Sequence, residues 1–184
     1  MKKTILLLAI ISAVFTANAQ KFMTKTGNIT FFSHTPIEDI MAFNNQVATV
    51  LDISTGELAF QVNIKSFKFE KALMEEHFNE NYMESDKYPR STFKGKIVNF
   101  NSIDFNKPGK YDVTVEGDLN MHDVTNRVTV RGVIEVVSGG INAASKFNLI
   151  PEDYKINIPG LVRDNIAKTL EITVTAKYTL AENL

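Results

Sequence analysis

The sequence predicts an all-β domain, an antiparallel sandwich or closed barrel of about eight strands with one or two short helices. Apolar and polar residues alternate along several segments, and turn signals rich in glycine, proline and serine separate these segments. Such one-sided alternation is typical of antiparallel sheets that keep one face against a core. The 184 residues, of which 44% are hydrophobic, are enough for one domain with a sizeable core.

The clearest alternation lies in the second half of the chain. Along residues 111–121 the odd positions are almost wholly apolar and the even positions are all polar. The same pattern returns along residues 128–136 and 170–180, and residues 58–64 form a fourth set. Each of these segments therefore predicts a strand with one buried face. Weaker strand candidates are residues 29–34, 46–53, 91–100 and 142–150.

One segment between the strands carries helical periodicity instead. Leucine, methionine, histidine and aromatic residues recur three and four apart over Lys71–Met83, which predicts a short helix that ends before Pro89. The spacing of Phe78 and Tyr82 places both rings on the same helix face, so we expect them to point into one end of the barrel. A second turn of helix is predicted over Ile37–Phe43.

The first residues have the pattern of a secretory signal peptide. Two lysines precede an apolar run over residues 5–15, and the small-residue sequence Ala17-Asn18-Ala19 follows. An uncleaved anchor is the alternative, but the run is short for a hydrocarbon core about 30 Å thick. We therefore predict a signal peptide over residues 1–19, export to the periplasm or beyond, and one domain over residues 20–184 without a transmembrane segment.

Composition excludes several functional classes. The formal net charge of -1 gives no electrostatic basis for binding nucleic acid. The absence of cysteine excludes disulfides, thiolate zinc sites, iron–sulfur clusters and a cysteine nucleophile. The 13 phenylalanines, in a chain without tryptophan, are generous for this length.

No motif for catalysis or for a cofactor stands out. The pair His77 and Glu80 lies three residues apart on one helix face, but nothing at suitable spacing supplies further metal ligands. A solvated acidic helix explains the pair more simply. The sequence contains neither a Gly-x-Ser-x-Gly turn nor a phosphate-binding loop. These observations favour a binding protein without a cofactor over an enzyme.

Glycines on inner faces suggest an internal space. Gly95, Gly117 and Gly132 each lie between apolar residues of a predicted strand. Barrel bending explains them equally well, and so the choice between a filled and a hollow barrel stays open. A hollow barrel of eight strands is just wide enough for a small ligand. The candidate ligand-binding residues are the apolar ones expected to face inward: Phe60, Val62, Phe78, Tyr82, Phe93, Ile97, Val113, Val115, Leu119, Val130, Ile134, Phe147, Ile172 and Val174.

Two stretches carry a resemblance to a known family. The first is the helix and strand passage over residues 77–93, with its histidine, its Tyr-Pro pair and its Ser-Thr-Phe strand. The second is residues 115–125, Val-Glu-Gly-Asp-Leu-Asn-Met-His-Asp-Val-Thr. In both, the chain resembles the YceI-like family of exported lipid-binding proteins. The resemblance implies a single antiparallel eight-stranded lipocalin-like barrel that holds a polyprenyl lipid or an isoprenoid quinone, for carriage or sequestration.

Two other functions remain as alternatives. One is a non-enzymatic module with a filled β core that acts in envelope interactions or a stress response. The other is an enzyme that acts on a bound lipid, although no acid–base pair or nucleophile supports it. The sequence leaves the oligomeric state open, a homodimer included.

Overall fold

The computed structural model describes residues 20–181, and within them it contains nine β-strands. The signal peptide predicted over residues 1–19 lies outside the described residues. The strands are β1 Lys21–His34, β2 Asp39–Asp52, β3 Glu57–Asn63, β4 Lys68–Phe69, β5 Arg90–Ile97, β6 Gly109–Met121, β7 Val124–Val137, β8 Gly140–Leu149 and β9 Leu170–Leu180.

Eight of these strands form a closed antiparallel barrel. The order around the sheet is β1-β9-β8-β7-β6-β5-β3-β2, and β1 also pairs with β2, which closes the ring. The two-residue strand β4 adds to β2 beside the ring. Closure leaves no sheet edge unpaired along most of the wall. The predicted eight-stranded barrel is therefore confirmed.

The second predicted helix, over Ile37–Phe43, is wrong. Asp39 begins strand β2, and residues 39–43 pair with residues 30–34 of β1. Ala42 is 0% exposed, whereas its neighbours Met41 and Phe43 face outward. The period along this segment is thus two, because pairing with β1 outweighs a weak local preference for helix.

The first predicted helix is confirmed, with a different last turn. Helix α1 covers Ala72–His77 and continues as a π-helical turn over Phe78–Tyr82. No helix among residues 20–181 is long and apolar enough to cross a bilayer. Short 3₁₀ turns lie at Ile64–Ser66, Phe100–Ser102, Pro151–Tyr154 and Gly160–Asn165.

A dense apolar cluster fills one end of the barrel, which we call the packed end. Its buried residues include Leu51, Ile97, Val136, Ile141 and Tyr178, which come from five different strands. Aromatic residues of the loop between β5 and β6 pack against it. The opposite end carries α1, its π-helical turn and the segment between β8 and β9, and we call it the helix end.

Because of Tyr178, we expect the stability of the packed end to change with pH in the alkaline range. Its side chain is 3% exposed, and its hydroxyl lies 2.9 Å from Thr49 Oγ1. Burial raises the pKa of Tyr178 from its ordinary value of 10.0 to about 12. The unfolded chain therefore releases this proton first as the pH rises. Since the unfolded state then binds fewer protons than the folded state, stability falls with rising pH.

We expect the Tyr178 contribution to unfolding free energy to drop by about 2 kcal/mol between pH 10 and pH 12. Urea unfolding of wild type and Tyr178→Phe over this range measures it. The variant should lack this part of the slope, although it is less stable at neutral pH because Thr49 loses its partner. Equal slopes for both proteins would contradict the prediction.

Candidate ligand cavity

A cavity of about 390 Å³ lies in the barrel between the packed end and the helix end. Its wall is almost wholly apolar and takes residues from all eight barrel strands, from β4 and from the helix end. The volume falls within the range of known small-molecule sites, about 300–1,000 Å³. A site of this kind recognises its ligand mainly by shape and apolar contact.

All fourteen residues proposed from the sequence lie in the wall of this cavity. They are Phe60, Val62, Phe78, Tyr82, Phe93, Ile97, Val113, Val115, Leu119, Val130, Ile134, Phe147, Ile172 and Val174. Several of them, including Ile97, Val113 and Val115, are buried against the packed end. Others, such as Val130 and Val174, are only half-buried. Contact between these residues and a ligand stays a prediction.

Other wall residues were not proposed from the sequence. Phe31 of β1 lay in a weak strand candidate, and Phe67 and Phe69 follow a 3₁₀ turn that carries no periodic signal. Ile156 and Ile158 lie in the irregular segment between β8 and β9 and are buried at the helix end. Ile156 and Ile158 alternate with one polar residue, Asn157, but this pattern is too short to predict a strand.

Phe78 anchors the helix end over the cavity through an aromatic cluster. Its ring centroid lies 5.0 Å from that of Phe69, 5.5 Å from Phe67 and 5.7 Å from Phe31. Aromatic pairs at such distances add stability beyond the area that they bury. Tyr82, one turn further, packs on the second apolar cluster at this end. Both rings point inward, as their spacing in the sequence predicts.

Polar contacts connect three chain segments around the rim at the helix end: the β1–β2 loop, the residue before α1, and the segment between β8 and β9. Lys71 Nζ donates to Glu38 Oε1 at 2.9 Å, and Asn165 Nδ2 donates to Glu38 Oε2 at 3.4 Å. The hydrogen bond from Lys71 holds the pKa of Glu38 below its ordinary value. The backbone N–H of Ala167 donates to Ser33 Oγ at 2.9 Å. Glu38 and Asn165 also belong to the cavity wall, so these contacts hold the rim of the site together.

A second set of polar contacts lies at the β6–β7 turn. His122 Nε2 lies 2.9 Å from Glu84 Oε2, and its Nδ1 lies 3.2 Å from the carbonyl oxygen of Tyr154. The ring of Tyr88 meets the imidazole edge-on at 4.4 Å between centroids. Both His122 and Asp123 have positive φ, as a two-residue hairpin turn with right-handed strand twist requires. His122, which belongs to the family-like stretch over residues 115–125, thus connects the β6–β7 turn to Glu84, just after the π-helical turn.

The inner-face glycines permit close packing and do not open the cavity. Gly95 and Gly117 pair across β5 and β6, and the ring of Phe93 lies over both. A Cβ atom at Gly117 would lie 2.5 Å from the Lys94 carbonyl oxygen, and one at Gly132 would lie 2.7 Å from a carbonyl oxygen of β8. Close approach of backbone and ring therefore explains these residues. The internal space that the glycines suggested is present, but close packing and not that space explains the glycines themselves.

The described residues contain no arrangement for metal chemistry. Within residues 20–181, no three or more histidine, aspartate or glutamate side chains lie close enough together to hold a metal ion. His77 and Glu80 are both exposed on the helix surface.

Comparison with solved structures places this barrel among known folds. A polyisoprenoid binding domain from Saccharophagus degradans, implicated in plant cell wall breakdown, matches with a TM-score of 0.75 and 13% identity over 88% of this chain and 99% of that one. BcnA from Burkholderia cenocepacia matches with a TM-score of 0.70 and 12% identity over 83% and 96%. The YceI protein from Campylobacter jejuni matches with 0.56 and 14% over 99% and 100%.

Sequence comparison supplies the family. No curated protein matches the chain in sequence. The YceI-like domain family, however, matches residues 12–178, which include nearly every strand of the barrel. Since the match covers far more than half of the sequence, this chain belongs to the YceI-like family.

Proposed function

We propose that this protein is an exported binding protein that holds an isoprenoid lipid in its barrel, for carriage or sequestration, and that it catalyses no reaction. A polyprenyl lipid and an isoprenoid quinone are the ligand classes concerned. The observation that carries the proposal is the apolar cavity of about 390 Å³ between the two ends of the barrel. The likeness to a polyisoprenoid binding domain supports the ligand class, and the predicted signal peptide supports export.

Apolar burial alone supplies enough free energy for such binding. Each buried methylene contributes about 0.8 kcal/mol, so the fifteen carbons of a farnesyl chain contribute about 12 kcal/mol, of which about 4 kcal/mol offsets the cost of immobilising the ligand. Micromolar affinity corresponds to about 8 kcal/mol. A branched prenyl chain therefore needs few polar partners, in agreement with the almost wholly apolar wall.

The burial of inward residues supports a hollow barrel over the alternative of a filled interaction module. Val130, Phe147 and Val174 face inward from three strands, yet each is only half-buried. In a filled core such residues would pack to the density of the protein interior. A ligand that occupies the cavity would complete their burial.

Mass spectrometry of organic extracts from the purified protein tests the proposal. We expect a co-purifying prenyl lipid. The protein freed of lipid should bind farnesol and a short-chain isoprenoid quinone more tightly than a linear alcohol of equal carbon number. A protein that yields no lipid and binds none of these probes would overturn the proposal and favour the filled module. The mass of the exported chain tests cleavage after Ala19.

A further inference from the structure

The barrel wall has a gap between β7 and β8. Their pairing runs from Val137 opposite Gly140 to Gly132 opposite Ser145 and ends there. Both strands continue beyond that point, β7 back to Val124 and β8 forward to Leu149. Over those stretches each strand pairs only with its other neighbour, β6 or β9.

A 3₁₀ turn covers the part of the gap that lies farther from the paired segment of β7 and β8, and the part next to that segment is left open. The 3₁₀ turn Pro151–Tyr154 lies against β7, where Asn126 Nδ2 donates to the Asp153 carbonyl oxygen at 2.8 Å. Where the pairing ends, Ser145 Oγ donates to the Arg131 carbonyl oxygen at 2.6 Å. The uncovered part therefore begins directly beside Arg131.

The cavity reaches the surface at this place. Its wall includes three outward-facing residues of β7 and β8, namely Arg131, Val133 and Ala144. On the other described barrel strands the wall is built from inward-facing residues, except for Thr92 of β5. At the last pair of the ladder, the inward-facing Gly132 and Ser145 and the outward-facing Arg131 border the cavity together. The gap is thus an opening in the side of the barrel.

Arg131 carries an uncompensated positive charge at this opening. Its side chain is exposed, and it forms no ion pair with any residue in the range 20–181. Arg127, four residues earlier on the same face, lies 3.3 Å from Asp118 and 3.6 Å from Glu116. Lys146, on the other side of the gap, binds Glu171 at 2.7 Å. Of these three cations, Arg131 is the one available to a ligand.

We infer that this opening receives the polar end of the ligand and that Arg131 binds an anionic end group there, a carboxylate or a phosphate monoester. The inference rests on the proposed function, because the apolar chain of the same molecule fills the cavity. A guanidinium group binds carboxylate and phosphate oxygens through two parallel hydrogen bonds. The ligand class is therefore an anionic amphiphile with an isoprenoid chain.

Three probes that share the same farnesyl chain and differ only in the end group test this inference: farnesoic acid, farnesyl monophosphate and farnesol. Arg131→Gln should weaken binding of the two anions about tenfold and leave farnesol unchanged. Arg131→Lys should keep most of the affinity for the anions, because it keeps the charge. Arg127→Gln is the matched control and should leave all three affinities unchanged. If only one anion responds, that result identifies carboxylate or phosphate as the end group.

The outcomes separate the inference from the function on which it rests. If Arg131→Gln leaves the anions unaffected, or weakens farnesol as much as the anions, the inference is overturned while lipid binding stands. If the wild-type protein binds none of the three probes, both fail.

Discussion

Replacing Phe78 with alanine is expected to lower the free energy of unfolding by about 3 kcal/mol and to release bound lipid. The phenyl ring touches three other rings, those of Phe31, Phe67 and Phe69, and its removal leaves a void at the centre of that cluster. The cluster also forms the cavity wall at the helix end. Urea unfolding and lipid retention after gel filtration measure the two effects.

Leu73→Ala is the matched control for this change. Leu73 lies on the same helix but is 60% exposed, so its truncation should alter stability by less than about 0.5 kcal/mol. Lipid retention should also stay at the wild-type level. If Phe78→Ala behaves like Leu73→Ala in both measurements, the helix is a surface appendage and does not close the cavity.

Val130→Phe is expected to reduce the affinity for farnesol about 100-fold while the lipid-free protein melts near the wild-type temperature. Val130 is half-buried and faces the cavity, so the larger ring enters open space without displacing packed atoms. It then takes the place of about four methylene equivalents of ligand, or about 3 kcal/mol of binding free energy. Thermal melting and a farnesol titration on the lipid-free protein measure both effects.

Val136→Phe on the same strand and face gives the opposite pattern. Val136 is 6% exposed, belongs to the packed end and lies outside the cavity wall. The added ring has no space there, so we expect a loss of about 1–3 kcal/mol of stability and unchanged farnesol affinity. Strong destabilisation by Val130→Phe, without binding of farnesol to the wild type, would mean that the barrel is filled.

Much of the barrel could be predicted from local patterns. The alternation over residues 111–121, 128–136 and 170–180 predicted strands β6, β7 and β9, because a half-buried strand imposes a period of two on its own sequence. The helix over residues 71–83 was predicted for the same kind of reason, since its apolar face repeats at 3.6 residues. The candidate residues on these segments accordingly lie in the cavity wall.

Features that depend on neighbouring strands were missed or misread. Residues 37–43 were predicted to be helical, yet pairing with β1 makes most of them a strand. The inner-face glycines were linked to internal space, yet Phe93 and neighbouring carbonyl oxygens lie where their side chains would be. The opening between β7 and β8 has no signal in either strand, because both continue their alternation after the pairing ends.

The sequence by itself determined that this chain forms antiparallel strands with one apolar face, because a half-buried strand imposes a period of two on its own residues. Pairing of β1 with β2, residues that a local period does not connect, closes these strands into a barrel. Only the tertiary structure decided which inward residues pack together, as Val136 does, and which border a cavity, as Val130 does. It also decided that the wall opens beside Arg131. These outcomes depend on the register between strands and on residues far apart in the sequence, and no local period records them.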